Sequence, residues 1–130
     1  MRRPRHQIGK TFSFEAAHQL SDLPEGHKCG RMHGHSYQVT VSVGTDGDLT
    51  PPGFVVDFVE LAPVKVFLDT TFDHRVLNEV LDVPPTSENI ARWLFEWCEI
   101  HLPLPASVWV ESVRVQETAS SYAEYARTWA

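Results

Sequence analysis

Residues 29–37 read "CGRMHGHSY". Two imidazoles, His33 and His35, flank a glycine, and a thiol, Cys29, stands four positions upstream. On an extended strand, side chains two apart leave the same face. His33 and His35 therefore emerge together, and Gly34 leaves room on the opposite side. A third imidazole, His18, ends the preceding β-rich stretch, where antiparallel pairing would bring it alongside. Three imidazoles suit zinc, which takes nitrogen ligands in a tetrahedron, and three protein ligands leave a fourth position open for chemistry. The rival arrangement is a closed structural site that adds Cys29 to His18, His33 and His35. Both arrangements predict Zn2+. They differ in whether the thiolate is bound to it.

Other groups could serve such a centre. In "FDHRVLN" Asp73 stands directly before His74, and a carboxylate beside an imidazole fixes its tautomer and raises its basicity. A loop-capping Asp next to a surface His is the plainer alternative. Glu117 closes "VRVQET" and continues the Val113 and Val115 face. It is either a strand end in water or an anchor for a ligand edge with two adjacent N–H donors. Lys28 and Arg31 flank Cys29. Nearby cations favour a thiolate and could meet an anionic ligand, although solvated loop charges are the commoner case.

These residues need elements to position them. Residues 8–16 are rich in β-formers, with Phe12 and Phe14 on one face, and predict a strand with His18 at its end. Residues 21–32 carry Pro and two Gly without a period and predict a loop. Residues 35–43 alternate Tyr37, Val39, Val41 and Val43 with polar partners, a half-buried strand. Residues 57–68 place Phe58, Leu61, Val64 and Leu68 on one helical face, but Pro63 requires the helix to start late or to kink. A second helix, capped by Thr86 or Ser87, presents Ile90, Leu94, Trp97, Cys98 and His101. Val108 and Val110, then Val113 and Val115, mark a strand whose phase slips once near Glu111 and Ser112, as a β-bulge would make it. A last short strand holds Tyr122 and Tyr125. The order is strand, strand, helix, helix, strand, strand. It predicts an α+β fold with a four-stranded antiparallel sheet covered on one face by two helices.

The 130 residues are expected to form one domain, 1–130, with residues 1–7 (Arg2, Arg3 and Arg5 among them) as a flexible arm. A net charge of −6 argues against a phosphate-backbone binder, so no nucleic-acid partner is expected. No apolar run approaches the roughly 20 residues of a membrane span, and no secretory leader or membrane partner is expected. Two cysteines are too few for a disulfide scaffold and are expected to be free thiols in a cytoplasmic protein, with Cys98 in the core.

"FSFEAAHQL", "EGHKCGRMHGHSY", "VVDFVEL", "FDHRVLN", "PTSENIA" and "VRVQET" occur in the order and approximate spacing of the 6-pyruvoyltetrahydropterin synthase superfamily. The loop "PEGHKCGRMHGHS" most resembles its bacterial branch, the 6-carboxytetrahydropterin synthases. The resemblance spans residues 12–118. It implies a T-fold, a ββααββ subunit that assembles into an oligomeric β-barrel, typically a homohexamer of two stacked trimers. It implies zinc held by His18, His33 and His35, with Cys29 off the metal as the proton-abstracting base. Asp73 and His74 would form a relay that reaches the site from another subunit. Glu117 would grip the pterin and join the relay. Substrate contacts are expected from Glu117 and Thr118, with Lys28, Arg31 and Arg75 as candidates for the triphosphate. The implied activity converts 7,8-dihydroneopterin triphosphate to 6-carboxy-5,6,7,8-tetrahydropterin, releasing acetaldehyde and triphosphate, in queuosine-type 7-deazapurine synthesis. The alternatives are a pyruvoyl-forming synthase and a non-catalytic zinc or pterin-binding module. Two departures stand out: Phe72 precedes Asp73-His74 where the family has leucine, and Ala62-Pro63 follow Leu61.

Overall fold

The computed structural model describes residues 5–128. Two long strands, β1 (His6–His18) and β2 (His33–Thr45), pair antiparallel without a slip from His6 opposite Thr45 to His18 opposite His33. Next come β3 (Arg75–Val76), β4 (Trp109–Thr118) and β5 (Ser121–Ala126). The sheet order is β3-β1-β2-β4-β5. The α+β fold expected from the sequence is present, and its four antiparallel strands are β1, β2, β4 and β5. The fifth, β3, is two residues long and lies parallel to β1 at Ala16 and Ala17. Two residues carry too little pattern to be read as a strand.

The alternation in the sequence decides which face is buried. Phe12, Phe14 and Ala16 of β1, Tyr37, Val39, Val41 and Val43 of β2, and Val113 and Val115 of β4 all point under the helices. Phe14 stacks on Tyr37 with ring centroids 4.8 Å apart. The anticipated slip is real. The β2–β4 register shifts between Ser42 and Val43, which leaves Glu111 as the extra residue of a bulge.

The first helical stretch is broken in three, and Pro63 explains its late start. A 3₁₀ turn (Phe58–Leu61) leads into α1 (Ala62–Phe67), where Pro63 occupies the first turn and needs no amide partner. A π turn (Leu68–Phe72) follows and delivers Asp73. Leu61, Val64 and Leu68 are buried as expected, whereas Phe58 is exposed. A single turn, α2 (Leu77–Val80), and the long α3 (Ser87–His101) complete the layer. Thr86 caps α3, its hydroxyl accepting from the Asn89 amide at 3.1 Å. The buried face of α3 is Ile90, Ala91, Leu94, Phe95 and Cys98. Trp97 lies on its shoulder and His101 is exposed. A small alanine and a phenylalanine, not the outer aromatics, seat the helix on the sheet.

Residues 5–7 of the expected arm are held in place. Strand β1 begins at His6, and Arg5 grips the Glu111 carboxylate through two bonds of 3.0 and 2.7 Å. Arg2 and Arg3 lie outside the described residues. No helix of the described residues is long and apolar enough to cross a membrane.

Candidate metal centre

Register brings the three imidazoles together. His18 pairs directly with His33, and Ala16 pairs with His35, so the even residues of β1 and the odd residues of β2 share the helix-covered face. The three ring centroids lie 4.5, 5.0 and 4.9 Å apart, all in edge-on contact. One nitrogen from each ring falls within 4.8 Å of the others. His18 is fully buried, and His33 and His35 are half-buried.

Hydrogen bonding sets the tautomers. His18 Nδ1 lies 2.7 Å from the Pro85 carbonyl, and His33 Nδ1 lies 2.6 Å from the Arg31 carbonyl. A carbonyl only accepts, so both Nδ1 atoms carry the proton. In the neutral rings each Nε2 then presents a lone pair, and these two face each other at 2.9 Å. A shared proton or a metal ion would reconcile such a pair. The third ring contributes His35 Nε2, which is buried and has no hydrogen-bond partner among the described residues. A buried polar atom of this kind requires an explanation, and a metal ion supplies one. Burial holds the His35 imidazole below its ordinary pKa. Glu117 pulls it the other way, and His18 and His33 add to the lowering. The neutral ring this favours is the ligating form. The donor set fits a metal ion. Tyr37 backs it, its hydroxyl 3.2 Å from His18 Nδ1. Burial first, and then Glu117, raise the pKa of Tyr37, which keeps it a neutral phenol.

Glu117 is not a strand end turned to water. Its carboxylate lies 3.7 Å from His35 Nε2 and 3.9 Å from His18 Nε2, with a quarter of its side chain exposed. It faces the imidazoles without hydrogen-bonding to them. It is a carboxylate beside the centre, free to accept from a ligand.

Cys29 is a free, half-buried thiol outside the close group of nitrogens. The four-ligand knot is therefore not formed among the described residues. Cys29 sits in a 3₁₀ turn (Lys28–Gly30) capped by His27, whose Nδ1 accepts from the Cys29 amide at 3.0 Å. Lys28 and Arg31 are exposed on either side. Arg31 also lines a cavity of about 480 Å³ under the loop, where its carbonyl orients His33.

Asp73 and His74 are joined to each other but not to the imidazole group. Asp73 Oδ1 accepts from the Glu15 amide at 2.8 Å, and the His74 amide donates to the Glu15 carbonyl at 2.6 Å. Asp73 Oδ2 lies 3.5 Å from His74 Nε2, and the imidazole is 78% exposed. His74 takes a φ of +58°, a strained conformation for a non-glycine residue. It lines a cleft of about 450 Å³ with Glu15, Gly34, His35, Ser36 and Arg75. By strand alternation Glu15, Gly34 and Ser36 belong to the opposite face from the imidazoles. Gly34 is not needed for space within the chain, because an added Cβ would meet only the Ala16 carbonyl at 3.6 Å. Thr118 serves the β4–β5 turn, its hydroxyl 2.6 Å from that of Ser121.

The sequence reading missed the Pro85 and Arg31 carbonyls and the Tyr37 hydroxyl. Backbone acceptors leave no residue-type signal, and Tyr37 fits the strand pattern as an ordinary core aromatic.

Residues 7–128 match the family described as 6-pyruvoyl tetrahydropterin synthase. A 6-carboxy-5,6,7,8-tetrahydropterin synthase of Synechocystis sp. is 43% identical over 123 residues, covering 91% of both chains. A dihydroneopterin monophosphate aldolase of Pyrococcus furiosus is 37% identical over 91 residues, 70% of this chain and 73% of the relative. The Caenorhabditis elegans 6-pyruvoyl tetrahydropterin synthase structure superposes with a TM-score of 0.80 at 27% identity, covering 98% of this chain and 99% of that one. The T-fold expected from the sequence holds. The chain belongs to the 6-pyruvoyl tetrahydropterin synthase family and is an enzyme of that family.

Proposed function

We propose that the chain converts 7,8-dihydroneopterin triphosphate to 6-carboxy-5,6,7,8-tetrahydropterin with release of acetaldehyde and triphosphate. It would be a zinc-dependent lyase of queuosine-type 7-deazapurine synthesis. The observation that carries this reading is the convergence of three imidazole nitrogens, two of them lone pair to lone pair, with a free thiol kept outside the set. The name of the 43% identical Synechocystis relative supports the carboxy product.

His18, His33 and His35 hold the zinc, which when bound supplies a Lewis acid to the hydroxyls of the substrate side chain. Cys29, as thiolate, removes a proton from the side-chain carbon. Glu117 accepts from two adjacent N–H groups at the pterin edge, a charge-assisted pair of bonds. Asp73 and His74 carry protons for the site of a neighbouring copy, and Thr118, Lys28, Arg31 and Arg75 are assigned to substrate contacts. Triphosphate leaves by carbon–oxygen cleavage, and hydrolytic cleavage of the side-chain carbon–carbon bond, with water supplying the new carboxylate oxygen, frees acetaldehyde.

The reading includes a single functional domain, 1–130, in a homohexamer of two trimers. Open strand edges support assembly. Among the described residues, β1 pairs on its outer side only at Ala16 and Ala17, and the outer edge of β5 has no partner strand. The exposure of His74 supports a relay that serves another chain. Two free thiols support a cytoplasmic location.

The test is turnover of dihydroneopterin triphosphate with mass analysis of the products. Acetaldehyde alongside triphosphate is expected. A pyruvoyl product without acetaldehyde would transfer the chain to the other activity of the family. Turnover surviving Cys29→Ala would remove the thiol base.

A further inference from the structure

The segment that carries Cys29 contributes no buried residue to the core. None of Lys28, Cys29 and Gly30 is buried, and the loop before them is exposed from Ser21 to Lys28. Burial therefore does not fix the thiol's position. Hydrogen bonds close the excursion where it leaves and rejoins the sheet. The Leu20 amide donates to the Cys29 carbonyl at 3.1 Å, and Gln19 Nε2 donates to the Gly30 carbonyl at 2.9 Å.

Gln19 is itself held from the far side. Its amide donates to Asn78 Oδ1 at 2.9 Å, and its carbonyl accepts from Asn78 Nδ2 at 2.8 Å. One carboxamide thus takes the place of a neighbouring strand, offering an acceptor and a donor to the same residue. Asn78 belongs to α2, whose first residue, Leu77, is fully buried. A continuous path runs from the core through Leu77, Asn78 and Gln19 to the Gly30 carbonyl, and the next residue, Leu20, carries it to the Cys29 carbonyl. Gln19, Asn78 and Gly30 together wall the 480 Å³ cavity beside the turn.

We propose that Gln19 and Asn78 are positioning residues for Cys29, holding the turn that presents the thiol to the imidazole site. The inference rests on the reading of Cys29 as the base. A small displacement of a reacting group costs large factors in rate, so an exposed pair of amides is expected to act on kcat.

The experiment uses the full-length zinc-loaded protein with Gln19→Ala and, separately, Asn78→Ala. It measures kcat and KM, zinc per chain, and the rate of Cys29 alkylation by iodoacetamide from about pH 6 to about pH 10. Labelling of the native protein reports Cys29, because Cys98 is 1% exposed and burial pushes its thiol up to about 12. Each variant is expected to lower kcat roughly tenfold with KM within about twofold. Zinc content should be unchanged, and the alkylation profile should move by about threefold or more in rate. Asn78→Asp keeps the acceptor for the Gln19 amide but loses the donor, and should fall between wild type and Asn78→Ala. Unchanged alkylation profiles in both alanine variants, whatever happens to kcat, overturn the proposal. Turnover surviving Cys29→Ala removes the base reading instead, and an altered alkylation profile would then still report the clamp.

Discussion

At one end of the β1–β2 pair the Glu111 carboxylate is met by two Arg5 donors and the Trp109 indole N–H. At the other end, among the described residues, His35 Nε2 is buried with no hydrogen-bond partner. The backbone helps Glu111 as well. Gly44 leaves the space it fills, since a Cβ there would come within 2.9 Å of Glu111 Cγ. Burial raises the Glu111 pKa, but the Arg5 and Trp109 bonds and the charges of Arg5 and Arg127 outweigh it and hold the carboxyl below its usual range. One polar site is completed by its own chain, and the other brings three imidazole nitrogens together, one of them without a hydrogen-bond partner among the described residues. A buried group that the fold satisfies is structural. One that the fold leaves open is waiting for something from outside.

Substitutions should treat the two ends oppositely. His33→Ala is expected to abolish stoichiometric zinc, read as metal per chain after dialysis. It should lower turnover by about 10³-fold, the several kcal/mol a Lewis acid contributes. In the metal-free protein the same change removes one of two opposed lone pairs, so the melting temperature should hold or rise; a fall would show that the imidazoles stabilise one another unaided. Glu111→Ala should do the reverse. It removes the carboxylate that Arg5 and Trp109 bond to and is expected to cost about 1–3 kcal/mol in a urea titration. Zinc content and turnover per folded chain should stay at wild type. Loss of metal in that variant would break the comparison.

pH separates the ends further. The folded pKa of His35 is lowered, so the unfolded chain binds more protons and metal-free stability falls as pH drops below about 6.5. The folded pKa of Glu111 is also lowered, but from a carboxylate value, so its contribution is present above about pH 4.3 and lost below it. Urea midpoints of the metal-free protein across this range should show two separate declines, and Glu111→Ala should erase only the lower one. The smallest effect concerns neither end. Thr86→Ala removes the α3 cap and is expected to cost about 1 kcal/mol, with zinc affinity unchanged.

Much of this arrangement was legible in the residues. Period two in 35–43 named the buried face of β2, and the slipped valines around Glu111 named the bulge. H-x-H on a strand implied two ligands on one side. The readings that moved were those in which neighbours decide. Phe58 and His101 fit their helical stripes yet face solvent, because a stripe is wider than the surface it packs on. Arg5 looked like part of a basic arm until the bulge turned Glu111 toward it.

By itself the sequence determined the four antiparallel strands, the Thr86 cap, the Ile90, Leu94 and Cys98 stripe of α3 and the family, all of which depend on residue type and local spacing. Only the tertiary structure decided which imidazole nitrogens stand bare, since that depends on the Pro85 and Arg31 carbonyls. It also decided that Glu117 faces the rings and that Cys29 stays outside them. The Pro85–His18 contact joins residues 67 positions apart. Register and loop closure set such contacts, and neither has a signature in the residues that make them.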